Sequence, residues 1–142
     1  MIDLFGGFMT LFTNFEAVLF VFFGAFVGMV AGALPGLTAS AAIAMLLPLS
    51  YHLDALSALA FLYVIGKSGR YGGSIAAILF NTPGTAASAA TMQDGYPMTR
   101  RGEAGKALKT ATIASVFGDY WGEIILIFGA VLIASVTRTF GP

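Results

Sequence analysis

The chain contains no cysteine and few charged residues. The absence of cysteine from its 142 residues excludes disulfide bonds and thiolate metal sites. Only 10% of the residues are charged, against about 25% in typical soluble domains, while 58% are hydrophobic. A soluble domain so poor in charge would expose large apolar patches and would tend to aggregate. We therefore expect most of the protein surface to face lipid.

Other absences narrow the possible functions. The formal net charge is zero, so nothing indicates nucleic-acid binding. The sequence has no metal-ligand cluster, no Walker-type loop and no nucleophile–histidine pair beyond chance, and we assign no chemistry to its one histidine, His52. We expect no catalysis and no cofactor. Asp3 and Glu16 stand where a cleavable signal would carry Lys or Arg, so we expect no such signal.

Long apolar segments dominate the rest of the sequence. Residues 17–34 carry no charge and approach the roughly 20 residues that cross a bilayer. Gly24, Gly28 and Gly32 recur on one face of this segment and would let another helix approach closely. Further segments are expected at 38–50, 54–66, 73–91 and 107–137. A polar loop, 92–109, holds four of the seven cations and is expected in the cytoplasm.

Three stretches interrupt the apolar sequence: PGLT (35–38), GRYGGS (69–74) and NTPGT (81–85). Lipid cannot satisfy free backbone groups, so irregular backbone at membrane depth must be buried in protein or face a water-filled cavity. Transporters use such breaks to direct helix N-terminal amides at anionic substrates. Thr38, Ser40, Thr82 and Thr85 could add hydroxyl donors. The alternative is that proline and glycine only kink membrane helices for packing.

If the breaks bind an anion, backbone amides would hold its carboxylate oxygens while hydroxyls and Asn81 orient it. The residues expected to line the site are Pro35, Gly36, Leu37, Thr38, Gly72, Gly73, Ser74, Asn81, Thr82, Pro83, Gly84 and Thr85.

Four charged residues have open interpretations. Lys67 and Arg70 would pair with an anion if they lie deep, because a cation in hydrocarbon is costly, or they would reach water near a surface. Asp119 and Glu123 share a helical face. They could form a proton or cation site, pair with Lys67 or Arg70, or mark an interfacial bend.

Several motifs resemble those of a known family. LPGL (34–37), YGGSI (71–75), NTPGT (81–85), and DGYPM with RRGEAGKAL (within 94–108) follow its order and spacing over residues 24 to 118. The sequence closely resembles the amino-terminal part of the large membrane subunit of tripartite tricarboxylate transporters, the TctA family. The resemblance implies an all-α, polytopic integral membrane protein with discontinuous, re-entrant helices, forming half of an inverted repeat. Full-length members are much longer, so we expect this chain to be a fragment.

The resemblance also implies a function. Family members take up di- or tricarboxylates such as citrate, driven by a Na⁺ or H⁺ gradient, in the bacterial inner membrane. Their partners are a periplasmic solute-binding protein and a small TctB-like membrane subunit, beside the remainder of the large subunit. A Na⁺ site of backbone carbonyls near the breaks is expected without assigned residues. The chain departs from the family at Thr38, often glycine there, and at Lys67 and Arg70, where small or apolar residues are more usual.

Two other functions remain open at this point. The chain could be a stand-alone structural or assembly protein of the membrane that oligomerises through its glycine-rich helix face, with its breaks serving as packing kinks. A membrane-embedded enzyme ranks last, because the sequence lacks catalytic groups.

Overall fold

The computed structural model describes residues 4–140, and all regular secondary structure in that range is α-helical. The helices are α1 (Leu4–Thr13), α2 (Phe15–Ala33), α3 (Ala39–Ser50), α4 (Ala55–Phe80), α5 (Ala86–Arg100) and α6 (Ala104–Phe140). The chain divides into two compact units, residues 1–108 and 109–142. The all-α class predicted from the sequence is therefore confirmed.

Helix α2 begins at a side-chain cap and is apolar after Glu16 in its first turn. The Asn14 side chain accepts hydrogen bonds from the amides of Glu16 (3.0 Å) and Ala17 (3.3 Å), which satisfies two amides that the helix itself cannot pair. Among the described helices, α2 and the 104–130 part of α6 are long and apolar enough to cross a membrane.

Helices α2 and α4 pack side by side and run in the same direction. A β-carbon built on Gly24 would lie 3.0 Å from Phe61, and one on Gly28 would lie 2.9 Å from the Cα of Ile65. Further along, a β-carbon on Gly32 would collide with the carbonyl of Gly69. The glycine stripe of α2 thus allows backbone-to-backbone contact with α4, as its spacing predicts.

Aromatic and aliphatic side chains fill the part of the α2–α4 contact that lies toward the N-termini of the two helices. Phe61 and Ile65 are fully buried and form a core cluster with Ala42 of α3. The Phe61 ring meets Phe20 edge-on and stacks on Phe23, with ring centroids 5.5 Å and 6.1 Å apart. These contacts hold α4 against α2 at a position nearer the N-termini of both helices than the 34–38 and 81–85 links.

Helix α4 is continuous where the sequence predicted a break. Residues 69–74 lie inside it, so the predicted segments 54–66 and 73–91 are replaced by Ala55–Phe80 and Ala86–Arg100. Gly69, Gly72 and Gly73 are buried against neighbouring segments. Glycine has a low intrinsic helix propensity. The close packing of these glycines stabilises the helix in spite of it.

The two shorter helices run in opposite directions along α4. Helix α3 is antiparallel to it, because its first residue, Ala39, packs on Gly69 while Ile43 packs near Gly66, earlier in α4. Helix α5 is parallel to α4: Gly84, just before it, contacts Gly73, whereas Thr99 near its end donates a hydrogen bond to the Ile78 carbonyl (2.8 Å).

The predicted polar loop 92–109 is largely helical. Helix α5 continues to Arg100, and α6 begins at Ala104 after a turn in which Gly102 has a φ of +82°. The loop prediction was wrong because Gly95 packs against Ile78 and so holds this polar stretch on α4 as helix. Glu103 pairs in the turn with Arg101 (3.6 Å) and Lys106 (4.0 Å).

The second unit begins at Lys109 and contains most of α6. Its apolar window within residues 104–130 has no buried residue. Ile113, Val116, Phe117, Ile125 and Phe128 all expose more than 60% of their surface. Such a helix suits an apolar surrounding, either lipid or further protein.

Candidate functional site

The first break connects α2 to α3. Leu34 ends α2, and a turn follows in which the Leu37 amide donates to the Leu34 carbonyl (3.1 Å). Gly36 has a φ of +91°, a conformation that L side chains rarely adopt. Thr38 caps α3 by accepting a hydrogen bond from the Ala41 amide (3.1 Å). Proline and glycine thus end one helix, and threonine starts the next.

The second break connects α4 to α5. Asn81 ends α4 in the left-handed conformation, with a φ of 58°. The residues after it return along α4, so that Gly84 lies against Gly73. Thr85 and Ser88 then form a reciprocal capping box: the Ser88 amide donates to the Thr85 hydroxyl (3.1 Å), and the Thr85 amide donates to the Ser88 hydroxyl (2.8 Å).

The two breaks place helix starts against adjacent turns of α4. The α3 start contacts Gly69, and the α5 start contacts Gly73 one turn later. At a rise of about 1.5 Å per residue, these glycines lie about 21 and 27 Å from the first residue of α4. Because α3 runs one way from this level and α5 the other, their positive N-terminal ends converge. We call residues 34–39 and 81–87 at this level the junction.

Each helix start offers backbone donors. The first N–H groups of an α-helix have no partner within it. In α5 the caps pair the amides of Thr85 and Ser88, which leaves those of Ala86 and Ala87 for an external acceptor. In α3 the Thr38 hydroxyl pairs the Ala41 amide and leaves those of Ala39 and Ser40. These two pairs of backbone amides, one pair at each helix start, can donate hydrogen bonds to a bound anion.

Most of the predicted lining residues belong to the junction, but three lie in α4 instead. Gly72 and Gly73 are buried and Ser74 is half-buried inside that helix, where backbone amides are already paired within it. Their backbone amides are therefore not donors to a ligand, whereas the lining of the site by these three residues stays a prediction. The remaining nine residues are in the two links: Pro35, Gly36, Leu37, Thr38, Asn81, Thr82, Pro83, Gly84 and Thr85.

Lys67 and Arg70 lie on α4 near the junction. Arg70 is exposed and follows Gly69 directly. Lys67 is half-buried, and its ammonium nitrogen is 5.6 Å from the centre of the Tyr63 ring, a distance that allows a cation–π contact. Both cations thus lie near the middle of α4 along its length, away from either end.

Asp119 and Glu123 belong to the second unit and lie one turn apart on α6. Asp119 is exposed and Glu123 half-buried. Among the described residues, no group of three histidine, cysteine or acidic side chains is arranged to hold a metal ion. The role of the two carboxylates in ion coupling remains a prediction.

A separate apolar groove of about 260 Å³ lies beside the first break. It is lined by apolar side chains of α2, the link and α3, including Phe26, Val30, Leu34, Leu37 and Met45. A groove without polar lining does not compensate the charge of a carboxylate. It is therefore distinct from the amide-bearing side of the junction.

Comparison with known proteins identifies the family. The model of the tripartite tricarboxylate transporter TctA family matches residues 18–142. The chain belongs to the TctA family. A curated relative from Agrobacterium vitis, described as an uncharacterized 52.8 kDa protein in the TAR-I ttuC′ 3′ region, is 41% identical over 124 residues. That match covers 87% of this chain and 25% of the relative, and no solved structure matches.

TctA membership confirms the resemblance found in the motifs and supports a membrane transport component. The sequence analysis did not include Gly69 and Ser88 among the site residues, although Gly69 contacts the α3 start and Ser88 caps the α5 start. Gly69 repeats at the four-residue spacing of Gly73, a pattern that allows close helix contact. Ser88 follows Thr85 by three residues, the spacing of a capping box. Both signals were present in the sequence.

Proposed function

We propose that this chain forms part of the large membrane subunit of an ion-gradient-driven uptake system for citrate-like carboxylates, and that the junction binds the carboxylate. The observation that carries the proposal is the meeting of two oppositely directed helix starts on adjacent turns of α4. TctA membership supplies the transport context. In this proposal α3 and α5 are the discontinuous helices of one half of an inverted repeat.

The same proposal includes the partners and the membrane placement. A periplasmic solute-binding protein delivers the substrate, a small membrane subunit and the rest of the large subunit complete the path, and Na⁺ or H⁺ provides the driving force. The α5–α6 turn, with Arg100, Arg101 and Lys106, faces the cytoplasm of a bacterium, because short segments rich in cations stay on that side of the inner membrane.

The structural alternative loses its main support. Oligomerisation through the α2 glycine face requires that face to be open. Gly24, Gly28 and Gly32 are buried against α4 of the same chain. A second copy cannot use the stripe without displacing α4.

Proline substitution can test the backbone amides with little disturbance. Ala86 is exposed at the first position of α5, where proline is well tolerated because its missing N–H is unpaired within the helix. The extended backbone of Thr85, with φ −143° and ψ 161°, also suits a residue before proline. We expect Ala86→Pro to raise the KM for citrate uptake at least tenfold, since a hydrogen bond to a charged group contributes about 1.5–3 kcal/mol.

Ala55 provides the matched control. It is also exposed and is the first residue of α4, after the extended Asp54 (φ −64°, ψ 158°), but it lies at the far end of that helix from the junction. Ala55→Pro should leave the KM unchanged in proteoliposomes containing the complete transport system. Equal KM values for Ala86→Pro and the parent, with both proteins folded, would refute carboxylate binding at the α5 start.

A further inference from the structure

We propose that the turn between α5 and α6 binds the headgroup phosphate of anionic phospholipids through Arg100, Arg101 and Lys106. We call residues 100–106 the basic turn. The ligand is a phospholipid whose headgroup carries a net negative charge, such as phosphatidylglycerol. The proposal goes beyond carboxylate transport. It requires α6 to enter the membrane at this turn, but it requires neither a substrate at the junction nor a particular side of the membrane.

Backbone hydrogen bonds give the basic turn a defined shape. The Glu103 amide donates to the Met98 carbonyl (2.9 Å), and the Glu103 carbonyl accepts from the Ala107 amide (3.1 Å). Glu103 thus connects the end of α5 to the start of α6 through its backbone alone. The side chains of Arg101 and Lys106 are 64% and 72% exposed. These cations are therefore accessible to a ligand from outside the protein.

The basic turn carries more positive charge than its nearest carboxylates can neutralise. The Glu103 carboxylate lies 3.6 Å from Arg101 and 4.0 Å from Lys106, so one negative charge is shared between two cations. Asp94 of α5 is the next carboxylate before the turn and is also exposed. With both carboxylates counted, residues 94–109 hold four cations and two anions, which leaves a net charge of +2.

The other carboxylates of the first unit lie at its opposite end. Within residues 4–108 they are Glu16, in the first turn of α2, and Asp54, the cap of α4. Thr99 donates to the Ile78 carbonyl, so the basic turn lies near the C-terminal end of α4. The 26 residues of α4 rise about 39 Å, several times the Debye length of roughly 8–10 Å. The positive charge of the turn is therefore not compensated within the first unit.

The length of α6 places the basic turn at the level of lipid headgroups. The candidate membrane span Ala104–Ala130 has 27 residues and rises about 40 Å. A bilayer measures about 40–45 Å with its headgroups, so the first turn of α6 lies in the headgroup layer when this helix crosses. Tyr96 lies one turn before Arg100, and tyrosine is typical of the same layer. Lipid phosphate is thus the anion that meets the turn at this depth.

Gly105 offers a reporter position inside the basic turn. It is exposed, and no atom lies within 4 Å of a β-carbon added there. Gly105→Cys, in the complete transport system with any other cysteines replaced, is labelled with bimane and reconstituted in vesicles of phosphatidylcholine and phosphatidylglycerol. One of the two lipids carries a nitroxide quencher near the headgroup end of its acyl chain. At equal mole fractions we expect nitroxide phosphatidylglycerol to quench bimane more strongly than nitroxide phosphatidylcholine.

Charge substitutions test the cause of this preference in the labelled protein. Arg100→Gln and Arg101→Gln should each lower the preference for phosphatidylglycerol about fivefold, the change expected for one cation near an anionic surface. Glu103→Gln should raise the preference by a similar factor, because it removes a negative charge and keeps the backbone hydrogen bonds. Arg70→Gln is the matched control. It removes the same charge from an exposed site on α4, about 15 Å before the end of that helix, and should leave the preference unchanged.

Several results would overturn the proposal. They are equal quenching by the two lipids, a preference that survives both arginine substitutions, a lower preference in Glu103→Gln, and an equal loss in Arg70→Gln. A preference that is present in the large subunit alone but lost in the complete system would show that a protein partner covers the turn. A preference abolished by millimolar inorganic phosphate at constant ionic strength would assign the turn to free phosphate. The lipid measurement involves no citrate uptake, so its result and that of Ala86→Pro are independent.

Discussion

Replacing Gly72 with valine should prevent α2 and α4 from packing and should leave little folded protein. A β-carbon at Gly72 would collide with the carbonyl oxygen of Met29 and would lie 2.8 Å from the Ala33 amide nitrogen. These are backbone atoms near the end of α2, so no side-chain rotation can make room. Overpacking usually costs about 1–3 kcal/mol, and we expect the upper end of that range or more, because whole helices must separate.

Thermal unfolding in detergent, followed by size-exclusion chromatography, measures this effect. Gly118→Val is the matched control, since Gly118 also lies inside a helix but has no atom within 4 Å of an added β-carbon. Valine there should be neutral or slightly stabilising, because its helix propensity exceeds that of glycine. Equal melting temperatures for the two variants would show that the backbones of α2 and α4 do not pack closely at Gly72.

The chain breaks illustrate what local sequence predicts well. Pro35 and Gly36 prevent α2 from continuing beyond Ala33 and its cap Leu34, and Asn81, Pro83 and Gly84 do the same after Phe80. Proline lacks the amide for an internal helical bond, and Gly36 adopts a positive φ that other residues avoid. These two breaks follow from backbone chemistry alone.

The glycines of α4 illustrate what local sequence leaves undecided. Gly69, Gly72 and Gly73 have the composition of a break, yet they lie in continuous helix. Their effect depends on whether another backbone packs against them, and those partners, Gly32 and Gly84, are distant in sequence. Spacing was the available clue, because small residues four apart indicate a contact face and not a turn.

The polar stretch after residue 92 was misjudged for a related reason. Its charges indicate contact with water, but they do not exclude a helix whose other face is packed. Gly95 contacts Ile78, and Thr99 donates to the Ile78 carbonyl. A water-exposed polar helix and a water-exposed loop have the same composition, so only the tertiary contacts distinguish them.

The contact between Gly73 and Gly84 yields the most direct prediction about the junction. A β-carbon on Gly84 would lie 2.9 Å from the Gly73 Cα and 3.1 Å from the Gly32 carbonyl oxygen, both backbone atoms. Alanine at Gly84 must therefore push the α5 start away from α4. Because one hydrogen bond to a charged group contributes about 1.5–3 kcal/mol, misplacing the amides of Ala86 and Ala87 should lower citrate uptake at least tenfold.

The same contact can be tested from its other side with a different expected result. A β-carbon on Gly73 would meet its nearest neighbours, the Gly84 Cα and the Ser88 hydroxyl oxygen, at 3.4 Å, an ordinary contact distance. Gly73→Ala should therefore retain uptake near the parent level, with both variants present in the membrane in equal amounts. Equal loss in the two variants would indicate that any methyl group at this contact is harmful. Equal retention would mean that the position of the α5 start does not control uptake, which would remove the physical basis for carboxylate binding there.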